Sequence, residues 1–358
     1  MITNPESAPP ILVRATKAES VGADLRVAGL SVIERSIKQL ATLKMRVVVA
    51  SDGSCAIAGS NLPGVEMRAV GTPDAMDRLR AELPGATEVG ADEVRPVGRE
   101  LATAIRVTDE ASRKQAEDAV FAQLLRGDLG MVARYLNKPV SFRITRYLLC
   151  HLPFSPNQIT VAAALVGLCG CALVATGYRW LMILGFFLAH AQSVLDGCDG
   201  ELARVRFQQS KIGEWLDTFV DEALNVVLFA CTGIGLYRAT GSQLALTAGL
   251  VFAAIHIYYD IVGLTELKRQ GQGGELMHIR WWLAGGINMK KRTGQKRWDP
   301  VVIVHGLGRR DFFVFAFFVY ALVGMPFLAL VHASVISAGQ LVITTAQVGW
   351  RLFGSGNS

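Results

Sequence analysis

Hydrophobic positions fall into two regimes along the chain. Up to about residue 150 they mix with charge at the density of a soluble protein. From Gln158 onward they form repeated runs long enough to span a bilayer. In the first regime Ile11-Leu12-Val13 reads as a short strand, Ser31 to Leu43 as a helix and Met45 to Ala50 as a strand ending at the turn Ser51-Asp52-Gly53. Val65 to Val70 reads as a further strand. Thr72-Pro73 then opens a helix that Pro84-Gly85 stops, with threonine as N-cap and proline at its first position. Thr108 to Leu125 is an amphipathic helix. In the second regime six spans are expected: Asn157–Thr176, Trp180–Arg204, Gly213–Tyr237, Leu244–Leu267, Phe312–Val331 and Val335–Leu352.

The expected fold is therefore an all-α polytopic membrane domain of six transmembrane helices, preceded by a small cytosolic α/β domain with a largely parallel sheet. The expected boundaries are 1–105 for the α/β domain, 106–152 for juxtamembrane helices and 153–358 for the membrane domain. Composition agrees: 51% of the 358 residues are hydrophobic and 18% charged. The first thirty residues lack the apolar core of a secretion signal, so insertion is expected to rely on the internal helices. The six cysteines form no CxxC pair and no zinc spacing. A net charge of +6 is read as membrane orientation rather than nucleic-acid binding. Lys and Arg concentrate in the loops after the second and fourth spans, which puts both termini and the basic loops in the cytosol.

Candidate chemistry lies in Asp196-Gly-Cys-Asp199-Gly-Glu-Leu-Ala-Arg204 and, eight residues on, Gly213-Glu-Trp-Leu-Asp217-Thr-Phe-Val-Asp221. Asp196 and Asp199 are spaced i,i+3, and Asp217 and Asp221 i,i+4, so each pair shares one helical face. A short connection makes the two helices antiparallel neighbours whose acidic faces can converge toward the cytosolic side. An Asp at the centre of a span costs ~2.5–3.5 kcal/mol, and clustered acids repel one another, so cations are required. Two Mg²⁺ or Mn²⁺ ions would balance four carboxylates, an arrangement suited to in-line displacement at phosphorus. Gly197, Gly200, Ala203 and Gly213 remove bulk beside the acids, and Arg204 is placed one turn beyond Gly200 to pair with a pyrophosphate. The competing reading, helix-end acids salted to Arg204 and Lys211, leaves the clustering unexplained.

The pattern D-G-x-x-D-G-x-x-A-R-x8-G-x3-D-x3-D over residues 196–221 resembles the CDP-alcohol phosphotransferase family at every fixed position. The resemblance implies a six-helix membrane enzyme that moves a phosphoalcohol from a CDP-alcohol to an acceptor alcohol and releases CMP. It also implies Asp196, Asp199, Asp217 and Asp221 as metal ligands, with Asp221 as the base on the acceptor hydroxyl. Gly197, Gly200, Ala203, Arg204 and Gly213 would shape the CDP pocket. Asn157 and Thr160, in Pro-Asn-x-x-Thr at the head of the first span, would lie near the nucleotide. Family members are commonly homodimers, and the same is expected here.

Ile11-Leu-Val, Val27 to Ile37 and Arg46-Val-Val-Val-Ala resemble the front of a sugar-phosphate nucleotidyltransferase, as in fused di-myo-inositol-phosphate-phosphate synthases. Where that family has a glycine-rich phosphate loop, this chain reads Val13-Arg-Ala-Thr-Lys-Ala-Glu-Ser20, so a degenerate domain is expected. The donor is expected to be CDP-diacylglycerol or a soluble CDP-polyol. Arg134, Lys138, Arg143 and Arg146 are candidates for an acceptor phosphate such as inositol phosphate; attraction to anionic membrane lipids explains them equally. A different class, a cation transporter using the buried acids, would predict internal repeats, and none is visible. His256 and Asp260 are read as a possible wall of the acceptor pocket, His190 as a packed histidine, and Trp281-Trp282 as an interfacial anchor.

Overall fold

A computed structural model describes residues 10–16, 25–41, 46–53, 65–70, 72–94, 105–124, 131–271, 279–284 and 306–354. Residues 17–20 of the expected phosphate-loop segment and the basic stretch 290–297 lie outside these. The chain divides into two compact bodies. One comprises residues 1–126, 146–153 and 203–208; the other comprises 127–145, 154–202 and 209–358.

In the first body, β1 (Ile11–Ala15), β2 (Arg26–Val27), β3 (Leu30–Ser31), α1 (Val32–Ala41), β4 (Val47–Ser51), β5 (Val65–Ala69), α2 (Pro73–Glu82) and β6 (Thr87–Gly90) follow in order. A four-stranded parallel sheet runs β5-β4-β1-β6, with Ile11 opposite both Val47 and Thr87. The unbroken apolar runs of β1 and β4 follow from this placement, because both faces of the two central strands are covered. Ile11, Val13, Val47 and Val49 pack with Ile33, Ile37 and Leu40 of α1. Leu12, Val48 and Ala50 point the other way, onto Leu79 and Leu83 of the α2 side. Thr72 caps α2, its hydroxyl accepting from the Ala75 amide. Two short antiparallel pairs, β2 with β3 and β7 (Glu93–Val94) with β8 (Ile105–Arg106), complete the strands, and α3 (Glu110–Leu124) follows. Arg35 on α1 is fully enclosed and donates to the carbonyls of Val27 and Val205 at 3.1 and 2.9 Å. Burial pushes its guanidinium down to about 10, which still leaves it charged at neutral pH.

The second body is helical. The main helices are α4 (Lys138–Tyr147), α5 (Pro156–Ala175), α6 (Arg179–Val205), α7 (Lys211–Thr240), α8 (Gln243–Arg269), α9 (Arg310–Leu322) and α10 (Leu328–Gly349). Five of these (α5 to α8 and α10) are long and apolar enough to cross a membrane. Ser155 and Gln158 form a reciprocal capping box at the start of α5, with Pro156 at the first helical position. Ser210 caps α7, and Gly241, at φ +73°, ends it. A core of Phe186, Phe229, Phe313 and Phe317 joins α6, α7 and α9.

Six spans were expected; among the described residues there are five such helices. The expected span Phe312–Val331 is instead the 13-residue α9, about 20 Å long, followed by a turn. Gly324 there takes φ +82°, and Pro326 withholds an amide donor, so the helix cannot run through. The last helix accordingly starts at Leu328, ahead of the expected Val335.

Helix pairs touch backbone to backbone at glycines, among them Gly235 of α7 against the Val174 carbonyl of α5. A Cβ on Gly170 of α5 would lie 2.7 Å from the Gly185 carbonyl of α6, and one on Gly249 of α8 would lie 2.6 Å from the Gly233 Cα of α7. Replacing Gly249 by Val should separate α7 from α8 and destabilise the fold by roughly 1–3 kcal/mol. Thermal unfolding in detergent, compared with the wild type, measures this; an unchanged midpoint would contradict the close contact.

Candidate active site

The connection between α6 and α7 is five residues long, Arg206 to Ser210, and brings their acidic faces together at one end of the helix pair. Asp196, Asp217 and Asp221 each place a carboxylate oxygen within 4.8 Å of the others. Asp196 Oδ1 and Asp217 Oδ1 are buried and have no hydrogen-bond partner. Buried carboxylate oxygens converging in this way form a hard donor set that fits a divalent ion. The Thr160 hydroxyl donates to Oδ2 of Asp199. The head of α5 is thereby tied to the acidic face of α6. Asn157 lies beside Gly213, where a Cβ would come 3.1 Å from its Oδ1. Gly197 faces Ser141, 3.5 Å from its Oγ to the same hypothetical carbon. Ala203 and Arg204 occupy the last turn of α6, with Arg204 exposed.

The acids open onto a cavity of about 950 Å³ lined by α6, α7, α8 and α10, with the start of α9 and the α4 segment closing its sides. Arg310, the first residue of α9, pairs with Asp221 and donates to Gln192 Oε1 at 2.6 Å. Gln192, fully buried on α6, donates in turn to Asp221 Oδ1 at 3.3 Å. Sequence reasoning counted Arg310 as a loop charge and overlooked Gln192. The available signal was the position of Arg310 at the threshold of an apolar run, where a cation can turn inward.

Glu201 was also overlooked. It is wholly buried and accepts from Lys138 Nζ at 2.8 Å, Ser141 Oγ at 2.7 Å and Thr145 Oγ1 at 2.8 Å. It therefore fastens α4 onto the helix that carries Asp196 and Asp199. This also locates the four basic residues considered for an acceptor phosphate. Only Lys138 lines the cavity, and its ammonium is committed to Glu201. Arg146 pairs with Asp118 at 2.6 Å, Arg143 donates to the Pro139 carbonyl at 3.1 Å, and Arg134 is exposed.

A second polar group stands beside the acids. Glu222 Oε2 lies 2.9 Å from His256 Nε2 and accepts from Asn225 Nδ2 at 3.0 Å. Gln340 Nε2 on α10 lies 2.7 Å from His256 Nδ1. The Gln340 amide can serve Nδ1 in either orientation, donating from its nitrogen or accepting at its oxygen. Asp260 joins Glu222 and His256, with all three offering ligand atoms within 4.8 Å. Trp281, expected as an interfacial anchor, is instead buried in the cavity wall and stacked on Tyr259 at a ring distance of 5.8 Å. His190 packs against Phe315, as a core histidine does.

Residues 154–270 match the model of the CDP-alcohol phosphatidyltransferase family. The curated relatives include proteins called bifunctional IPC transferase and DIPP synthase. The one from Aquifex aeolicus is 38% identical over 107 residues, 30% of this chain and 24% of that protein. Those from Rubrobacter xylanophilus and Archaeoglobus fulgidus are 35% and 30% identical over 134 and 168 residues. These matches cover 37% and 47% of this chain, and 29% and 31% of the relatives. The matched stretch thus spans between about a quarter and a third of the relatives' length.

Replacing Glu201 by Ala leaves the Lys138 ammonium buried and unpaired and should cost roughly 3–5 kcal/mol. Glu201→Gln, which keeps an acceptor for the two hydroxyls, should cost less. Thermal unfolding of both variants in detergent checks the order; equal midpoints for Ala and wild type would refute the clamp.

Proposed function

We propose that the chain is an integral membrane transferase that moves a phosphoalcohol from a CDP-alcohol to an acceptor alcohol, releasing CMP, in inositol-phosphate-type synthesis. The convergence of Asp196, Asp217 and Asp221 within 4.8 Å carries this reading, together with the family match over the same helices. Asp196, Asp199, Asp217 and Asp221 would hold two divalent ions, Mg²⁺ or Mn²⁺. When bound, such ions neutralise a pyrophosphate and favour in-line displacement at phosphorus.

The chain's own groups do the rest. Asp221 takes the proton from the attacking hydroxyl, and Gln192, through its amide donor, fixes the carboxylate's orientation. Arg310 supplies a neighbouring positive charge on the cavity side. Thr160 holds Asp199 in place, while Asn157, Gly197, Gly200 and Gly213 border the cytidine diphosphate. The bilayer orientation is that of the basic loops, with both termini and the site facing the cytosol. The parallel-sheet body is a nucleotidyltransferase-like domain without the glycines of a phosphate loop, and the assembly is a homodimer.

The purified full chain, incubated with a panel of CDP-alcohols and acceptors, should release CMP only with Mg²⁺ or Mn²⁺ present and should stop on chelation. Asp221→Asn should lower turnover by at least about a hundredfold while donor binding stays measurable. Turnover near the wild-type rate in that variant would remove Asp221 from the base role.

A further inference from the structure

We infer, on the metal-site reading above, that Arg35 is a positioning residue for the acid cluster. With Phe207 and Arg206 it pins the α6–α7 link, and through that link it sets how the two acid-bearing helices meet.

Ala203–Gln208 group with the first body, together with residues 146–153. The reason is a closed set of contacts within that body. The last carbonyls of a helix lack intrahelical donors, and that of Val205, where α6 ends, accepts from Arg35 Nη2 at 2.9 Å. A cation at this end also suits the helix dipole. The same guanidinium donates to the Val27 carbonyl from Nε and Nη2 at 3.3 and 3.1 Å, so it joins β2 to the end of α6. The turn after β2 is seated on the segment before α5. Ala28 and Gly29 take φ +49° and +82°, and a Cβ on Gly29 would collide with the Cys150 carbonyl. Arg206 closes the ring by donating to the Leu149, Cys150 and Leu152 carbonyls at 3.0, 3.1 and 2.7 Å.

Phe207 points beyond packing. The Gln208 amide donates to the Ala203 carbonyl at 2.8 Å, a helix closure whose bridging residue is left-handed and usually glycine. Here that residue is Phe207, at φ +55°. A bulky side chain in this conformation is disfavoured and persists only where its surroundings hold it. Arg35 supplies such a hold, its guanidinium carbon 5.6 Å from the ring centroid. The chain thus forgoes the glycine that would end α6 without strain and gains a grip on the link. Val205 lies six residues beyond Asp199, about 9 Å along the helix. Repulsion among the acids tends to part α6 from α7, and a fixed link opposes it.

Arg35→Met, Arg35→Lys and Phe207→Gly in the full chain, in detergent, test this. Each variant is followed by amide exchange over residues 196–221, by Mn²⁺ binding from the paramagnetic resonance of the free ion, and by CMP release. Arg35→Met should speed exchange across that stretch and weaken Mn²⁺ binding by at least about tenfold, the worth of one hydrogen bond to a charged group. Arg35→Lys keeps the charge without the planar fork and should fall between. Phe207→Gly relieves the backbone, so its unfolding midpoint should stay at or above that of the wild type. Its Mn²⁺ affinity and kcat should nevertheless fall, with kcat restored by excess Mn²⁺, a pattern that loss of fold does not produce. Phe207→Gly carries the test if Arg35→Met does not purify folded. Unchanged exchange and Mn²⁺ affinity in Arg35→Lys and Phe207→Gly would overturn the inference. If the wild type binds no Mn²⁺, the metal-site reading fails instead, and exchange alone decides whether Arg35 governs the acid-bearing stretch.

Discussion

Like charges confined in a low-dielectric bundle set the terms for the rest of the helical body. At separations under 4.8 Å, each pair of ionised carboxylates repels by on the order of 3 kcal/mol at an effective dielectric constant near 20. The three acids are only partly exposed, and the chain surrounds them with compensating groups. Arg310 lies on Asp221, the Gln192 amide donates to the same carboxylate, and the Thr160 hydroxyl donates to Asp199. These residues come from the starts of α9 and α5 and the middle of α6. The requirement for compensation explains why three distant parts of the chain meet at one point.

Glu201 solves a related problem differently. It is the most deeply buried acid near the site, yet it has two hydroxyls and an ammonium to itself. Fully partnered, it acts as a fastener. Asp196 and Asp217, with unpartnered oxygens, have capacity to receive a cation. The contrast between one satisfied acid and two with a spare oxygen separates a structural carboxylate from candidate ligands.

Much of this was legible before the structure. The β1 and β4 runs, the Thr72-Pro73 helix start, and α5 to α8 to within a few residues follow from periodicity and capping residues, because those signals are local. The i,i+3 and i,i+4 spacing of the acids likewise predicts the shared faces. What stayed hidden depends on tertiary contact. Gln192, Glu201 and Gln340 have no local pattern that distinguishes an inward-facing polar residue from a solvated one. The break at Gly324 and Pro326 was legible in principle, but a continuous apolar run outweighed a two-residue turn signal. Lys138 is a further case: its ammonium sits on Glu201, sixty-three positions away in the sequence, a partner its basic neighbours do not announce.

The five-residue link between α6 and α7 makes residues 196–221 behave as a ruler of fixed length. One residue inserted between Asp217 and Asp221 would turn the second acid about 100° away from its partners. One inserted between Asp196 and Asp199 would do the same on α6. Substitutions can be absorbed here, but changes of length cannot. The stretch around Gly324 to Pro326, already a turn, has no such restriction. Variation in substrate preference among relatives should therefore be sought as side-chain replacement on α7, α8 and α10, and variation in length in the connections beyond α8.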